Sequence, residues 1–161
     1  MLNRLFNTTD LADDFVELAM LHLTPKGLAH YDLRVRNSKK HAAAGKAFVT
    51  GRTPFRDNGR PLVLIKLGAH SRFPFTITKF KGNRYHVTPV RFANKEEAFI
   101  YIAAHEIRHC WQWQFPYAPR APGSRGKLSE VDANVHALRK LNEFRAQLSN
   151  ENSLLEQDGA F

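Results

Sequence analysis

Apolar and polar residues recur with two different periods along the chain, and the change of period separates predicted helices from predicted strands. A helical stripe near the start is formed by Leu11, Phe15, Leu18 and His22. Asp10 is placed to cap this helix, and Pro25 with Gly27 ends it. We therefore expect an N-terminal helix, followed by a change to strand-like alternation from Tyr31 onward.

The middle of the chain alternates with a period of two, or is continuously apolar over short runs. These patterns predict strands at 31–36, 47–50, 62–67, 75–80 and 84–90. Residues 37–46 are small and polar and are expected to form a loop. The last two strands, Phe75–Phe80 and Arg84–Val90, flank Lys81-Gly82-Asn83 and are expected to form a hairpin.

Helical spacing returns after residue 94. Asn94 with Glu97 three residues later is a capping-box pattern, and it predicts a helix running to about Gln114. Ser129 opens a last helix, which is expected to end near Leu148. A run of strands between helices predicts an α+β fold with a small, mostly antiparallel sheet. We expect one domain over residues 1–150 and a frayed tail over residues 151–161.

Charge is unevenly distributed over the 161 residues. The formal net charge is +9, yet residues 33–95 contain 15 Lys and Arg side chains and a single acid, Asp57. A one-sided field of this kind attracts polyanions, so nucleic acid is a candidate partner; a solvated face that keeps the protein in solution is the other interpretation. A single cysteine, Cys110, excludes an internal disulfide framework and favours a reducing compartment. No apolar run is long enough to predict a membrane span, and the first residues do not read as a signal peptide.

The chemistry-bearing motif is His105-Glu106-Ile107-Arg108-His109, an H-E-x-x-H pattern inside the predicted penultimate helix. Residues four apart lie on one helix face, so both imidazoles can reach one ion, and Glu106 can reach a water beside it. Zinc prefers nitrogen ligands with a carboxylate and an open position. The other interpretation is a pair of histidines satisfied within the core.

A third ligand is available at the start of the last helix. Glu130 shares a helix face with an apolar stripe formed by Ala133, Ala137, Leu141, Phe144 and Leu148. Glu130 therefore points along the core-facing side, where a metal would partner it; alternatively, it only favours the helix N-terminus through the dipole. Asn134, one turn further on, is a candidate to hydrogen-bond a ligand imidazole.

These motifs resemble those of known metallopeptidases. His105-Glu106-x-x-His109 followed by Glu130-Val131-Asp132-Ala133-Asn134 resembles the gluzincin metallopeptidases, and the asparagine version is similar to ImmA/IrrE-type peptidases. The layout also resembles minimal gluzincins, SprT-like proteins and uncharacterised metallopeptidase-like proteins of phages. The resemblance spans residues 94–148 and implies a zincin-like fold. It also implies a zinc ion held by His105, His109 and Glu130, with Glu106 as general base.

The activity so implied is zinc-dependent endopeptidase cleavage of a protein or peptide substrate. Such enzymes usually add a donor that stabilises the oxyanion, and Tyr117, His136 and Arg108 are the candidates. By the same resemblance, the strand at 84–90 is a candidate to pair with the substrate backbone. An alternative function is a catalytically silent zincin-fold protein that binds nucleic acid or a protein partner through residues 33–95. We expect a cytoplasmic protein, or a virion-associated one if it is phage-encoded.

Overall fold

The computed structural model describes residues 1–50, 52–53, 56–57, 59–77 and 89–158. Over these residues the fold is α+β, as predicted, with three helices and a small mixed sheet. The strands are β1 (Leu2–Asn7), β2 (Tyr31–Ser38), β3 (Ala43–Phe48), β4 (Arg52–Thr53), β5 (Arg56–Asp57), β6 (Leu62–Gly68), β7 (Phe75–Ile77) and β8 (Val90–Phe92). The helices are α1 (Asp13–Leu23), α2 (Lys95–Gln114) and α3 (Glu130–Asp158).

The main sheet has the order β1-β2-β6-β3. β1 pairs parallel with β2, β2 pairs parallel with β6, and β3 pairs antiparallel with β6. The expectation of a mostly antiparallel sheet is therefore wrong. α1 connects β1 to β2 as a crossover, and such a connection places its two flanking strands parallel.

The structure contains strands where the sequence predicts a loop, and one strand that the sequence does not predict. The predicted loop at residues 37–46 is wrong at both ends, because β2 continues to Ser38 and β3 begins at Ala43. β3 is rich in alanine and has little strand propensity of its own, so its pairing with β6 decides its conformation. β1 is too polar to be predicted, yet Leu2 and Leu5 pack against the core.

The predicted hairpin is described only at its base. β7 pairs antiparallel with β8 through Phe75 opposite Phe92 and Ile77 opposite Val90. The rest of the two predicted strands, residues 78–88, lies outside the described residues. The buried strand predicted at 62–67 is confirmed as β6, the best-buried strand of the sheet.

α1 begins later than predicted and buries a different face. Its N-cap is Ala12, which makes no side-chain cap, and the carboxylate of Asp10 instead pairs with Lys95. The predicted stripe is right for Leu11 and Phe15, which contact the core, and wrong for Leu18, which is 57% exposed, and for His22, which is also exposed. The buried residues of this helix are Val16, Ala19, Met20 and Leu23. These residues share the core with the sheet and with α2.

The two C-terminal helices start where the sequence predicts. The side chain of Asn94 accepts a hydrogen bond from the Glu97 backbone N–H at 2.9 Å, so the α2 cap is confirmed. Ser129 Oγ accepts from the Asp132 backbone N–H at 3.3 Å and opens α3. α2 packs along α3 and against β3 and β6. The candidate site therefore forms where α2, α3 and β3 meet. α3 continues past the predicted end at Leu148 to Asp158. Among the described residues, no helix has the length and apolar character that crossing a membrane requires.

Candidate metal centre

Three side chains from α2 and α3 converge on one point. His105 Nε2 lies 3.2 Å from one carboxylate oxygen of Glu130, and His109 Nε2 lies 3.2 Å from the other. The two ring nitrogens are 3.1 Å apart. Ligand atoms of these three residues all lie within 4.8 Å of one another. The structure thus brings together the three residues that the sequence singled out as metal ligands.

Local geometry explains how α2 presents its two rings. One helical turn separates His105 from His109, so their rings stand side by side, with centroids 4.7 Å apart and planes nearly perpendicular. Both histidines are buried. Glu130 closes the cluster because it is the first residue of α3, immediately after the Ser129 cap.

The donor set fits a divalent cation. Two imidazole nitrogens and a carboxylate face one small volume, where all three could donate a lone pair to a cation. Hydrogen bonds with His105 and His109 hold the pKa of the Glu130 carboxyl well below its usual range. Burial lowers the pKa of His109, but the neighbouring carboxylates of Glu130 and Glu106 outweigh it and raise that pKa overall. Nitrogen with carboxylate oxygen is a ligand set typical of zinc.

Gln112 orients one of the two rings, and the sequence did not single it out. Its Nε2 donates to the Ser129 carbonyl and to Asp132 Oδ2, both at 2.9 Å. Its oxygen therefore faces His109 Nδ1 at 2.9 Å and accepts the proton of that nitrogen. This hydrogen bond leaves the lone pair of His109 Nε2 directed at the cluster, as metal-ligating imidazoles require. The signal available in the sequence was the spacing of three residues between His109 and Gln112 on one helix.

The sequence makes Asn134 a candidate for this orienting role. Its side-chain oxygen instead accepts a hydrogen bond from the Tyr101 hydroxyl at 3.4 Å. Asn134 lies one turn into α3, next to the buried face of α2, whereas Gln112 lies on α2 beside the imidazole itself. The partner of the His109 ring is therefore Gln112.

An ion pair beneath the cluster joins the two helices. Arg108 donates to both carboxylate oxygens of Asp132, at 2.6 and 3.1 Å, and the backbone N–H of Ala121 donates to the same carboxylate at 2.8 Å. The Arg108 guanidinium also lies over the Trp111 ring, 3.7 Å from its centroid. Burial alone would raise the pKa of Asp132, but hydrogen bonds from Arg108 and Gln112 lower it to about 2. Asp132 thus supports Gln112 and fixes the start of α3 against α2.

Glu106 lies beside the cluster against strand β3. Its side chain is buried, and a Cβ placed on Gly45 would lie only 2.5 Å from Glu106 Cγ and Oε1. Burial raises the pKa of this carboxyl, while the two nearby imidazoles and a hydrogen bond from the Ala47 backbone act in the opposite direction. A buried carboxylate with a raised pKa, next to three converging ligands, has the properties of a general base.

The three candidates for an oxyanion donor have different surroundings. Tyr117 is 99% exposed and forms no wall of the buried cluster. Arg108 is engaged by Asp132, as described above. Burial, followed by the charge of Arg108, lowers the pKa of His136 to about 4, so this imidazole is neutral, with Nδ1 3.1 Å from the Arg139 guanidinium. Among the described hydrogen bonds, none links these three side chains to His105, His109 or Glu130.

Cys110 lies in the core next to His109 in sequence, and it is not part of the metal cluster. The structure buries this free cysteine at 4% exposure within the main apolar cluster. Comparisons of the chain with protein-family models, with curated proteins and with solved structures give no match. The functional interpretation consequently depends on the chemistry of the site itself.

Proposed function

We propose that the protein is a zinc-dependent peptidase whose metal is held by His105, His109 and Glu130. One observation carries the proposal: a buried carboxylate, Glu106, lies beside the three converging ligands rather than among them. A purely structural site is usually closed by four protein ligands and has no use for an adjacent base. Three ligands with a neighbouring carboxylate are the arrangement that hydrolytic zinc sites use.

In this proposal, His105, His109 and Glu130 hold the metal, and Glu106 transfers protons. A zinc ion in such a site lowers the pKa of water toward about 7 and polarises a carbonyl group. Glu106 would accept the proton of the attacking water and return it to the leaving amine of the cleaved peptide. Contact with Gly45 and the hydrogen bond from Ala47 hold the Glu106 side chain in place for both transfers.

The strand β3 is the better candidate for aligning a peptide substrate. It is the last strand in the order of the main sheet, so one of its edges is paired with β6 and the other is not paired within that sheet. Gly45 on this strand touches Glu106, which places the edge beside the proposed base. An extended peptide could add to this edge through main-chain hydrogen bonds. The strand predicted for this role from the sequence, 84–90, lies mostly outside the described residues.

Metal content is the first test of the proposal. We expect one zinc per chain in the wild-type protein, and its loss in His109→Ala and Glu130→Ala. His22→Ala is the matched control, because His22 is exposed on α1, and it should retain zinc. Absence of zinc from the wild type after metal addition would overturn the proposed site. Zinc retained by Glu130→Ala would overturn the assignment of the third ligand.

Cleavage by Glu106→Gln separates catalysis from metal binding. The amide keeps the size of the side chain and cannot take a proton, so zinc should remain bound while cleavage of an unstructured protein such as casein falls by a factor of about 100 to 10,000. Glu17→Gln, an exposed change on α1, should cleave like the wild type. Equal cleavage by Glu106→Gln and wild type would contradict the peptidase mechanism and favour the silent, ligand-binding alternative.

A further inference from the structure

The main sheet has two chemically different faces. The face toward α2 carries Leu33, Val35, Val63, Ile65 and Leu67, all within the core cluster. Gly45 also lies on this side, where its Cα approaches Glu106 and Ile102 of α2. Because side chains of a strand alternate between faces, the neighbouring positions of β2, β6 and β3 point to the other side of the sheet. The far side of the sheet is not open throughout, because Leu62 and Leu64 of β6 also point there and are only 2% and 4% exposed.

Basic side chains occupy that far side. Arg34 and Arg36 alternate with the core residues of β2, Lys66 does so on β6, and Lys46 does so on β3. We call these four residues the basic face. All four side chains retain solvent exposure: Lys46 is exposed and the other three are half-buried. The excess of positive charge noted in residues 33–95 is thus organised by the sheet into one surface.

Strand register places these cations close together. Arg36 lies directly opposite Lys66, and Arg34 and Lys46 lie on either side of Leu64 in one row across three strands. Neighbouring strands are about 4.8 Å apart, so the backbone position of each cation lies within roughly 5 to 10 Å of another of the four. Like charges directly opposite each other destabilise a sheet. Strand pairing thus gathers four cationic side chains in one area of the sheet.

Aromatic rings lie on the same side of the sheet. Phe6, the β1 residue opposite Arg34, is 41% exposed, and the Arg34 guanidinium lies over its ring at 5.6 Å. Phe48 lies two positions from Lys46 on β3, and its ring centroid is 5.0 Å from Lys46 Nζ. Two ring–cation pairs thus flank the row of positive charge. The only acid that the register places on this side of β2 and β6 in the described residues is Asp32, which is fully buried and accepts a hydrogen bond from Asn3 at 2.7 Å.

We propose that the basic face binds single-stranded nucleic acid. The charges match a phosphate backbone, and the exposed ring of Phe6, the half-buried ring of Phe48 and the arginine planes beside them are groups on which unpaired bases stack. A sheet face carrying both features fits a single strand better than an acidic peptide, which offers charge without bases. The inference is independent of the metal centre, since Lys46 and Gly45 are neighbours on β3 whose positions face opposite sides of the sheet.

The test is fluorescence anisotropy with labelled 12-nucleotide probes: poly-dT, poly-rU, and a 12-base-pair DNA duplex. We expect the wild type to bind both single strands at 50 mM salt, with affinity falling on added salt by a slope of about −3 for four phosphate contacts. Arg36→Gln/Lys66→Gln removes two cations, so the slope should fall by about 1.4 and affinity at 50 mM salt by about 60-fold.

The matched control is Lys26→Gln/Arg125→Gln, which removes the same net charge from exposed loop positions away from the sheet. It should bind like the wild type. Three results would overturn the proposal: no binding at 50 mM salt, equal loss of binding in the control, or binding to the duplex or to poly-glutamate as tight as to the single strands. Circular dichroism of both double variants confirms that loss of binding is not loss of folding, and Phe6→Ala, which removes only a ring, should weaken binding several-fold with the slope unchanged.

Discussion

The contact between Gly45 and Glu106 predicts a large effect from a single methyl group. In Gly45→Ala the new Cβ would lie 2.5 Å from Glu106 Cγ and Oε1, and 2.7 Å from Ile102 Cγ2. Gly45 has no positive φ, so alanine is compatible with the backbone and the whole effect is steric. Glu106 is buried and the Ile102 methyl is fixed close to its backbone, so neither can simply swing into solvent.

The magnitude follows from the overlap. Non-bonded carbons prefer about 3.5 to 4.0 Å, so Glu106 or β3 must move by about 1 Å. Overpacking of this kind costs about 1–3 kcal/mol, and loss of the glycine's freedom in the unfolded chain returns about 0.5–1 kcal/mol. A net destabilisation of about 1–2 kcal/mol should lower Tm by about 2–8 °C in a chain of this length. Misplacing a catalytic group by about 1 Å can cost a factor of about 100 in rate.

The assay pairs thermal unfolding with zinc content and casein cleavage. Gly45→Ala should retain one zinc, because neither Glu106 nor Ile102 is a proposed ligand, while cleavage per zinc falls by about 100-fold. Ala44→Ser is the control: its side chain points to the other face of β3, and its stability should stay within about 0.5 kcal/mol of wild type. Wild-type Tm and cleavage in Gly45→Ala would refute the close approach of β3 to Glu106. A lower Tm with unchanged cleavage would refute the role of Glu106.

Two further predictions concern the supports of the fold and of the site. Gln112→Leu removes the acceptor for His109 Nδ1–H and should weaken zinc binding by about 10- to 100-fold in a competition titration with a chelator, whereas Gln114→Leu, on the same helix, should not. An unchanged zinc affinity in Gln112→Leu would contradict the orienting role. Arg145→Met leaves the buried Glu97 without its ion-pair partner and should cost about 2 kcal/mol in urea unfolding at pH 7. Arg145 holds the pKa of Glu97 below its ordinary 4.5. The pair therefore contributes stability above that pH and loses it as pH falls further, and the difference between Arg145→Met and wild type should shrink on acidification. A difference that stays constant with pH would contradict this reasoning.

The helices of the C-terminal half were predictable because their signals are local. Asn94 and Ser129 cap α2 and α3 as expected, and the buried positions Ala133, Ala137 and Leu141 follow the predicted stripe. α1 shows the limit of the same reasoning. Its sequence contains apolar residues on more than one side, and the face that is buried depends on where β1 and α2 lie.

The sheet was less predictable because its partners are distant in sequence. β1 pairs with β2 across more than twenty residues, and its six residues alone have no pattern that distinguishes them from a polar loop. β3 is a strand because β6 offers it a pairing edge. Neither pairing can be recognised from the local sequence, since strand pairing satisfies backbone groups without requiring particular side chains.

Some features of the candidate site were also predictable from local sequence, and others depended on tertiary packing. Helix geometry fixes the spacing of His105 and His109, so the motif by itself determines that two imidazoles share one face of α2. Packing of α3 on α2 decided that Glu130 meets them and that Gln112, not Asn134, orients His109. Packing of β3 on α2 decided which strand lies beside Glu106. The sequence determined what repeats every turn of a helix or every second residue of a strand, because backbone geometry dictates those periods. Tertiary structure alone decided the contacts between elements, since these depend on how every buried surface is satisfied at once.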